Sequence, residues 1–201
     1  MIPVCYTGAF CDASGYGEAS RNAIEALVVA GADICTQKVV FTNNVFPGDP
    51  LLKTAEELSD RKVDYRIKII HSTPDIYKNY IEKGKYNIGH LFWETTSLPK
   101  SWIAPCNLMD EIWTGTELNK RAIQDSGVTV PIKVFPQSIN IDIPIVRPFR
   151  ISNFEGFIFY SMFEWRERKN PRALLDSFWK EFKGAKDVAL LIGTHKGDYS
   201  K

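Results

Sequence analysis

Two glycines separated by one residue, Gly15 and Gly17, have a spacing that points to ligand chemistry. They lie in the stretch FCDASGYGEASRN, between the apolar run 2–10, which predicts a strand, and the alanine-rich segment 19–30, which predicts a helix. A glycine-rich turn in this position directs backbone N–H groups and the positive end of the helix dipole at an anion, most often a phosphate. The alternative is a turn that needs glycine only for its backbone conformation.

Two adjacent cations, Arg168 and Lys169, form a second candidate anion site. Asn170 is a good N-cap and Pro171 suits the first position of a helix, so the two cations are expected directly before a helix N-terminus. Cations beside unpaired backbone donors suit a doubly charged anion such as a diphosphate. The alternative is a solvated loop with no ligand.

Three further polar residues, His71, His90 and Glu94, stand at or just after the ends of predicted strands. Open parallel sheets bind ligands at this carboxyl edge, so all three are candidate binding residues. The alternative is a structural role, with the histidines hydrogen-bonded in their strands and Glu94 capping the loop that follows. No His, Cys or carboxylate cluster in the sequence has metal-ligand spacing, so no metal is expected.

Apolar β-branched runs alternate with helical patterns along the chain, which predicts an α/β fold with a mostly parallel sheet and helices on both faces. The predicted strands are 2–7, 34–41, 65–71, 87–92, 111–113, 132–135, 157–160 and 188–192. The predicted helices are 19–30, ending at Gly31, then 74–83, then 118–125 behind a capping box from Thr114 to Glu117, and one from Pro171 to just before Gly184.

The order of these elements predicts two Rossmann-like domains joined by a linker. Prolines at positions 136, 144 and 148 break the helical pattern, so we assign a first domain to residues 1–140, a linker to 141–155 and the start of a second unit to 156–201. Two strands and one helix bury little apolar surface, so the apolar side chains of the last helix need a partner, either the first domain or a second copy of the chain. Those side chains are Leu174, Phe178, Trp179 and Phe182.

Composition excludes several classes of protein. Of the 201 residues, 25 are Lys or Arg and 24 are Asp or Glu, so no basic field favours nucleic acid. No apolar run is long enough to cross a bilayer, which leaves only peripheral membrane contact open. The four cysteines form no CxxC pair and there is no signal peptide, so we expect a cytoplasmic protein.

Four stretches, taken in order, resemble a retaining glycosyltransferase of the two-Rossmann-domain (GT-B) type, in the group often called group 1 or family 4. They are SGYGEASRNAIEALVVAGADI, NIGHLFWETTSLPKSW, MDEIWTGTELNKRAIQDSGVTVPIKVFPQSIN and FIFYSMFEWRERKNPRALLDSF. Together they span nearly the whole chain, which makes the resemblance more specific than any single motif.

The resemblance implies transfer of a sugar from a nucleotide-diphosphate donor to an acceptor with retention at the anomeric carbon, and no cofactor or metal. The acceptor could be a glycan, a lipid-linked sugar or a small molecule. The matching residues imply catalytic roles for Lys169, Arg168 and His90. Donor binding is implied for Gly15, Tyr16, Gly17 and Arg166. Acceptor binding is implied for Glu94, Trp93 and His71.

Two departures from the family pattern limit these expectations. The Gly-Arg pair that follows the first strand of the second domain in many members is replaced here by YSMFEWRERK, in which Arg166 is the nearest substitute. The chain also ends before the family's Glu-x7-Glu element, so we expect a truncated second domain and little activity from these 201 residues alone. The open alternatives are a nucleotide-dependent oxidoreductase or epimerase, or a non-catalytic module that binds carbohydrate or protein.

Overall fold

A computed structural model describes residues 2–41, 50–139, 150–152 and 154–195. The chain divides into two compact units, Met1–Ile143 and Pro144–Lys201, each with its own parallel sheet. The α/β class, with a Rossmann-like parallel sheet flanked by helices, is confirmed. None of the helices in the described segments has the length and apolar character that a membrane span requires.

The first unit is built on six parallel strands in the order β2-β1-β3-β4-β5-β6. The strands are β1 (Pro3–Gly8), β2 (Asp33–Lys38), β3 (Ile67–His71), β4 (Tyr86–His90), β5 (Glu111–Thr114) and β6 (Ile132–Val134). All six lie within or next to the apolar runs that predicted them. The chain goes from β1 to β2 on one side and then crosses to β3 on the other side of β1. The gap between the carboxyl ends of β1 and β3 is therefore a topological switch point, where sheets of this kind bind ligands.

The described residues of this unit form four α-helices: α1 (Gly15–Val29), α2 (Pro50–Glu57), α3 (Lys100–Cys106) and α4 (Glu117–Asp125). Helix α1 begins four residues before the predicted start, because the Ser14 side chain caps it by accepting a hydrogen bond from the Gly17 amide at 3.3 Å. Its predicted stop is confirmed, since Gly31 has a φ of 74° in the left-handed region.

Two sequence predictions for helices are wrong in detail. Segment 74–83 forms only a 3₁₀ helix at Pro74–Asn79, in which the Tyr80 amide bonds the Tyr77 carbonyl three residues back. The cap of α4 is Thr116, whose hydroxyl accepts from the Asn119 amide at 3.1 Å, and not the Thr114 of the expected capping box. Thr114 is instead the last residue of β5 and is fully buried, so its hydroxyl is not at the N-terminus of α4.

Each face of the six-stranded sheet carries its own apolar core. The face against α1 and α2 includes Val4, Tyr6, Ile24, Ile34, Leu52, Ile69 and Ile88. The opposite face includes Ile70, Tyr77, Leu91, Cys106, Ile112 and Ile123, with Trp93 and Trp102 packed against them. Aligned residues of parallel strands point to the same side, so side chains two residues apart share one of these cores.

Within residues 154–195 the second unit forms two parallel strands, β7 (Phe157–Glu164) and β8 (Val188–His195), and one α-helix, α5 (Pro171–Phe182). The predicted cap is confirmed, because the Asn170 side chain accepts from the Ala173 amide at 3.4 Å. Phe178 and Phe182 pack on Phe159 of β7, with ring centroids 6.0 and 5.2 Å away. Trp179 is 67% exposed, so this helix has an apolar side chain that the described part of the unit does not cover.

Candidate functional site

The candidate site lies at the carboxyl edge of the first sheet, where the last register positions of four strands meet. Gly8 pairs with His71, His71 with His90, and His90 with Trp113. His71 is completely buried and His90 is 4% exposed. The register therefore brings together two histidines that are nineteen positions apart in the sequence and places them at the switch point.

The two imidazole rings stack on each other, with centroids 4.3 Å apart and planes inclined by 28°. The Tyr6 hydroxyl lies 2.5 Å from Nδ1 of His71. Burial raises the pKa of Tyr6, so its phenol stays protonated, and the Ser20 hydroxyl lies 3.4 Å from the same nitrogen of His71. Where Tyr6 donates to Nδ1, the ring proton of neutral His71 lies on Nε2; where Nδ1 carries the proton, Tyr6 accepts the hydrogen bond from it.

Both histidines are held neutral by their surroundings. Burial lowers the pKa of His71 well below its usual value, and the neighbouring His90 lowers it further. Burial also lowers the pKa of His90, to about 4. Charging either ring would place a cation in an apolar environment without a counter-ion, which is costly. The pair can therefore offer hydrogen bonds to a neutral ligand at neutral pH.

Four buried polar atoms at this edge have no hydrogen-bond partner among the described residues: His71 Nε2, His90 Nε2, Ser72 Oγ and Thr114 Oγ1. Each belongs to a residue that closes a strand or directly follows one. Buried polar groups usually have a partner, so the unpartnered nitrogens of the two histidines at a switch point are candidate contacts for a polar ligand. The two histidines lie on the α1 side of the sheet, whereas Ser72 and Thr114 occupy positions on the other side.

The glycine turn contributes an aromatic ring to this edge. Tyr16, in the first turn of α1, has its ring 5.4 Å from that of His71 and 5.5 Å from that of Phe41. Gly15 is exposed, with open space where a Cβ would lie, so a ligand could approach its backbone. Gly17 is buried, and a Cβ there would lie 1.9 Å from the Asp12 carbonyl oxygen. Glycine at position 17 is therefore required for internal packing.

The three residues expected to bind the sugar acceptor, Trp93, Glu94 and His71, do not lie together. Trp93 packs edge-on against Trp102 at 4.8 Å and donates from Nε1 to the Ser97 carbonyl at 2.7 Å, in the core on the face away from the histidines. Glu94 is exposed near Tyr16: burial raises the pKa of Tyr16, and the charges of Asp75 and Glu94 raise it further. His71 and Tyr16 thus lie together, and Glu94 lies close enough to Tyr16 to act on it electrostatically.

Sequence reasoning missed Tyr6, Phe92 and Trp113 around the histidines. The Phe92 ring lies 5.8 Å from His71 and 5.0 Å from His90, and Trp113 lies edge-on to His90 at 6.2 Å. The alternation of side chains along a strand could have identified Phe92 and Trp113. Every second residue of a strand points to the same face of the sheet, and both residues share that face with His90.

The second unit holds the expected cationic residues directly before α5. Residues Glu167–Lys169 form a 3₁₀ turn that ends at Asn170, the cap of α5. Lys169 is exposed and has no ion-pair partner among the described residues. Arg166 pairs with Glu164 of β7 at 2.8 Å, which partly neutralises it.

Within the described ranges no group of three or more His, Cys, Asp or Glu could hold a metal ion. A comparison with protein-family models gives no match, and a comparison with curated proteins gives none either. The proposed function therefore rests on the geometry and the motifs of this chain.

Proposed function

We propose that this protein is a glycosyltransferase that uses a nucleotide-diphosphate sugar and retains the anomeric configuration. The observation that carries the proposal is the stacked, neutral pair of His71 and His90 at the switch point, whose Nε2 atoms have no hydrogen-bond partner among the residues that the structure describes. The resemblance of the four sequence stretches supports the reaction class.

A sugar or acceptor hydroxyl matches the chemistry of this edge. A hydroxyl both donates and accepts, so it can pair with Nε2 of either neutral ring in either tautomer without bringing charge into a buried site. The same pair would bind a phosphate weakly, since neither ring carries a positive charge. The histidine edge therefore suits the sugar or the acceptor better than the diphosphate.

Lys169 and the N-terminus of α5 supply the complementary chemistry in the second unit. An ammonium beside a helix N-terminus stabilises negative charge on a departing diphosphate, and a preorganised cation of this kind lowers a barrier by about 2–4 kcal/mol. Arg168 is the second cation in the same turn. The amide of Ala173 is occupied by the Asn170 cap and Pro171 has no N–H, so the Arg172 amide is the donor of this first turn that can face the anion.

A dinucleotide oxidoreductase finds less support. Such an enzyme places an acidic side chain after its second strand to bind a ribose hydroxyl. Strand β2 ends in Gln37 and Lys38, and the next residues to position 41 are Val, Val and Phe.

The diphosphate site is tested by titrating uridine and guanosine diphosphates into the full chain by calorimetry at low and high salt. We expect binding that weakens with salt and that is lost in Lys169→Ala, because the cation–phosphate attraction is screened. Lys180→Ala is the matched control, since this exposed lysine lies in the last turn of α5, away from the N-terminus, and should bind as the unchanged chain does. Equal binding by both variants, or none by the unchanged chain, would refute the site.

The histidine edge is tested separately by NMR of the imidazole nitrogens, with assignment helped by the total of three histidines. We expect the Nε2 signals of His71 and His90 to shift with a nucleotide sugar and to stay in place with the nucleotide diphosphate alone. Identical spectra with both ligands would count against sugar binding at this edge. Shifts seen with a free oligosaccharide, without diphosphate binding, would favour the non-catalytic carbohydrate-binding module.

A further inference from the structure

A pocket of about 270 Å³ opens beside the histidine edge, on the α1 face of the first sheet. Its walls come from α1, from the middle and end of the sheet strands, and from the segment after β6. The lining residues are Tyr6, Ala23, Ala26, Leu27, Ala30, Ile69, His90, Trp113, Phe135, Pro136 and Ser138. All of them lie in the first unit.

The lining is almost entirely apolar. Helix α1 presents small side chains, among them Ala23 and Ala26, and leaves space that larger residues would fill. Trp113 and Phe135 stack at 4.7 Å with planes 21° apart and form a flat aromatic wall. The hydroxyl of Tyr6 is already bonded to His71, so a ligand in the pocket would contact the Tyr6 ring.

The polar side chains in this lining differ: His90 is buried and its Nε2 has no partner in the described part of the chain, whereas the Tyr6 hydroxyl is bonded to His71 and Ser138 is half-buried. Its lowered pKa keeps it neutral at physiological pH, so it can bind an uncharged polar group. An apolar pocket with a few polar groups for orientation is the usual composition of a small-molecule site. A purely apolar ligand would leave the His90 nitrogen unsatisfied, whereas an alcohol would not.

We propose that this pocket binds the hydrocarbon part of an amphiphilic alcohol of about ten carbon atoms, with its hydroxyl group hydrogen-bonded to His90. The size follows from volume, because an apolar cavity of about 150 Å³ accommodates benzene and this pocket is nearly twice as large. The identification of this alcohol as the sugar acceptor rests on the proposed function. Binding of the alcohol to the pocket does not.

A series of linear alcohols from hexanol to tetradecanol, titrated into the full chain by calorimetry, tests the size of the ligand. Each methylene that enters the pocket should tighten binding about fourfold. We expect the increase to stop near ten carbons, when the pocket is full, with a stoichiometry of one. Absence of saturable binding, or an increase that continues through the whole series as in partition into a surface, would overturn the proposal.

Two tryptophan substitutions on one helix locate the binding site. Ala26→Trp fills the pocket with a side chain larger than two methylenes, so decanol should bind about 15-fold more weakly or worse. Val29→Trp is the matched control, because Val29 is 82% exposed on the same helix and does not line the pocket. Circular dichroism checks that both variants fold. Equal loss in both variants, or no loss in Ala26→Trp, would refute this location.

A third variant separates the two parts of the ligand. His90→Phe keeps the ring but removes the polar atoms, so decanol should lose affinity while a chloroalkane of equal length should not. Equal effects on both ligands would refute the role of His90. Alcohol binding by a chain that binds no nucleotide diphosphate would support this pocket and reject the proposed function. Binding of nucleotide diphosphate without binding of alcohol would reject only the pocket.

Discussion

Lowering the pH from 7 to 5 should destabilise the first unit through His71 and His90. Both rings are buried and neutral in the folded protein, and burial lowers the pKa of His90 to about 4. In the unfolded chain an exposed imidazole has a pKa of about 6.5. The unfolded chain therefore binds protons more readily than the folded one, so the unfolding free energy falls as the pH drops below 6.5 toward 4.

The size of the effect follows from these two pKa values. At pH 5 the unfolded imidazole is almost fully protonated while folded His90 is still mostly neutral. The unfolding free energy should therefore fall by about 2 kcal/mol between pH 7 and 5. His71 should add to this fall, because burial and the neighbouring His90 lower its pKa as well. The loss from His90 alone is already a large share of the stability of a typical domain.

Urea unfolding at pH 7, 6 and 5, followed through the amide NMR signals of β3 and β4, measures this change in the first unit alone. In the variant His90→Gln the fall between pH 7 and 5 should be smaller by about 2 kcal/mol, because the contribution of His90 is gone. The paired carboxylates Glu82 and Glu111, whose pKa values are lowered, contribute mainly below pH 5. A stability that is constant from pH 7 to 5, or an unchanged slope in His90→Gln, would refute the reasoning.

Two further predictions concern packing. Gly17→Ala should destabilise the first unit by about 1–3 kcal/mol or more, since the new Cβ meets backbone, whereas Gly15→Ala enters open space and should be neutral or slightly stabilising; similar urea midpoints for the two variants would disprove this difference. Lys68→Met should lower the free energy of unfolding by about 2 kcal/mol, because Lys68 is 1% exposed and its ammonium bonds Glu82 at 2.6 Å. The loss is not larger because the carboxylate of Glu82 is partly exposed and stays solvated. An unchanged midpoint for Lys68→Met would show that the pair is dispensable.

Several elements could be predicted from local sequence because local chemistry decides them. The strands of the first sheet lie within or next to the predicted runs, and the Asn170-Pro171 pair marks the start of α5 through a side-chain cap and a fixed proline φ. Helix α3 was missed because Pro105 near its end argues against a helix, although its missing N–H costs only one bond there. Tyr16 was expected near a ligand, but nothing local showed that its ring would meet His71.

The sequence by itself determined the α/β class and the positions of polar residues at strand ends, since side-chain polarity and backbone preference act over a few residues. Only the tertiary structure decided that β3 lies between β1 and β4, which stacks His71 on His90 and brings Tyr6 to His71. It also decided that Gly17 is enclosed while Gly15 is open, and that Trp93 belongs to the opposite core. Strand order and register arise from packing between distant segments, and the lowered pKa values of the two histidines follow from that burial.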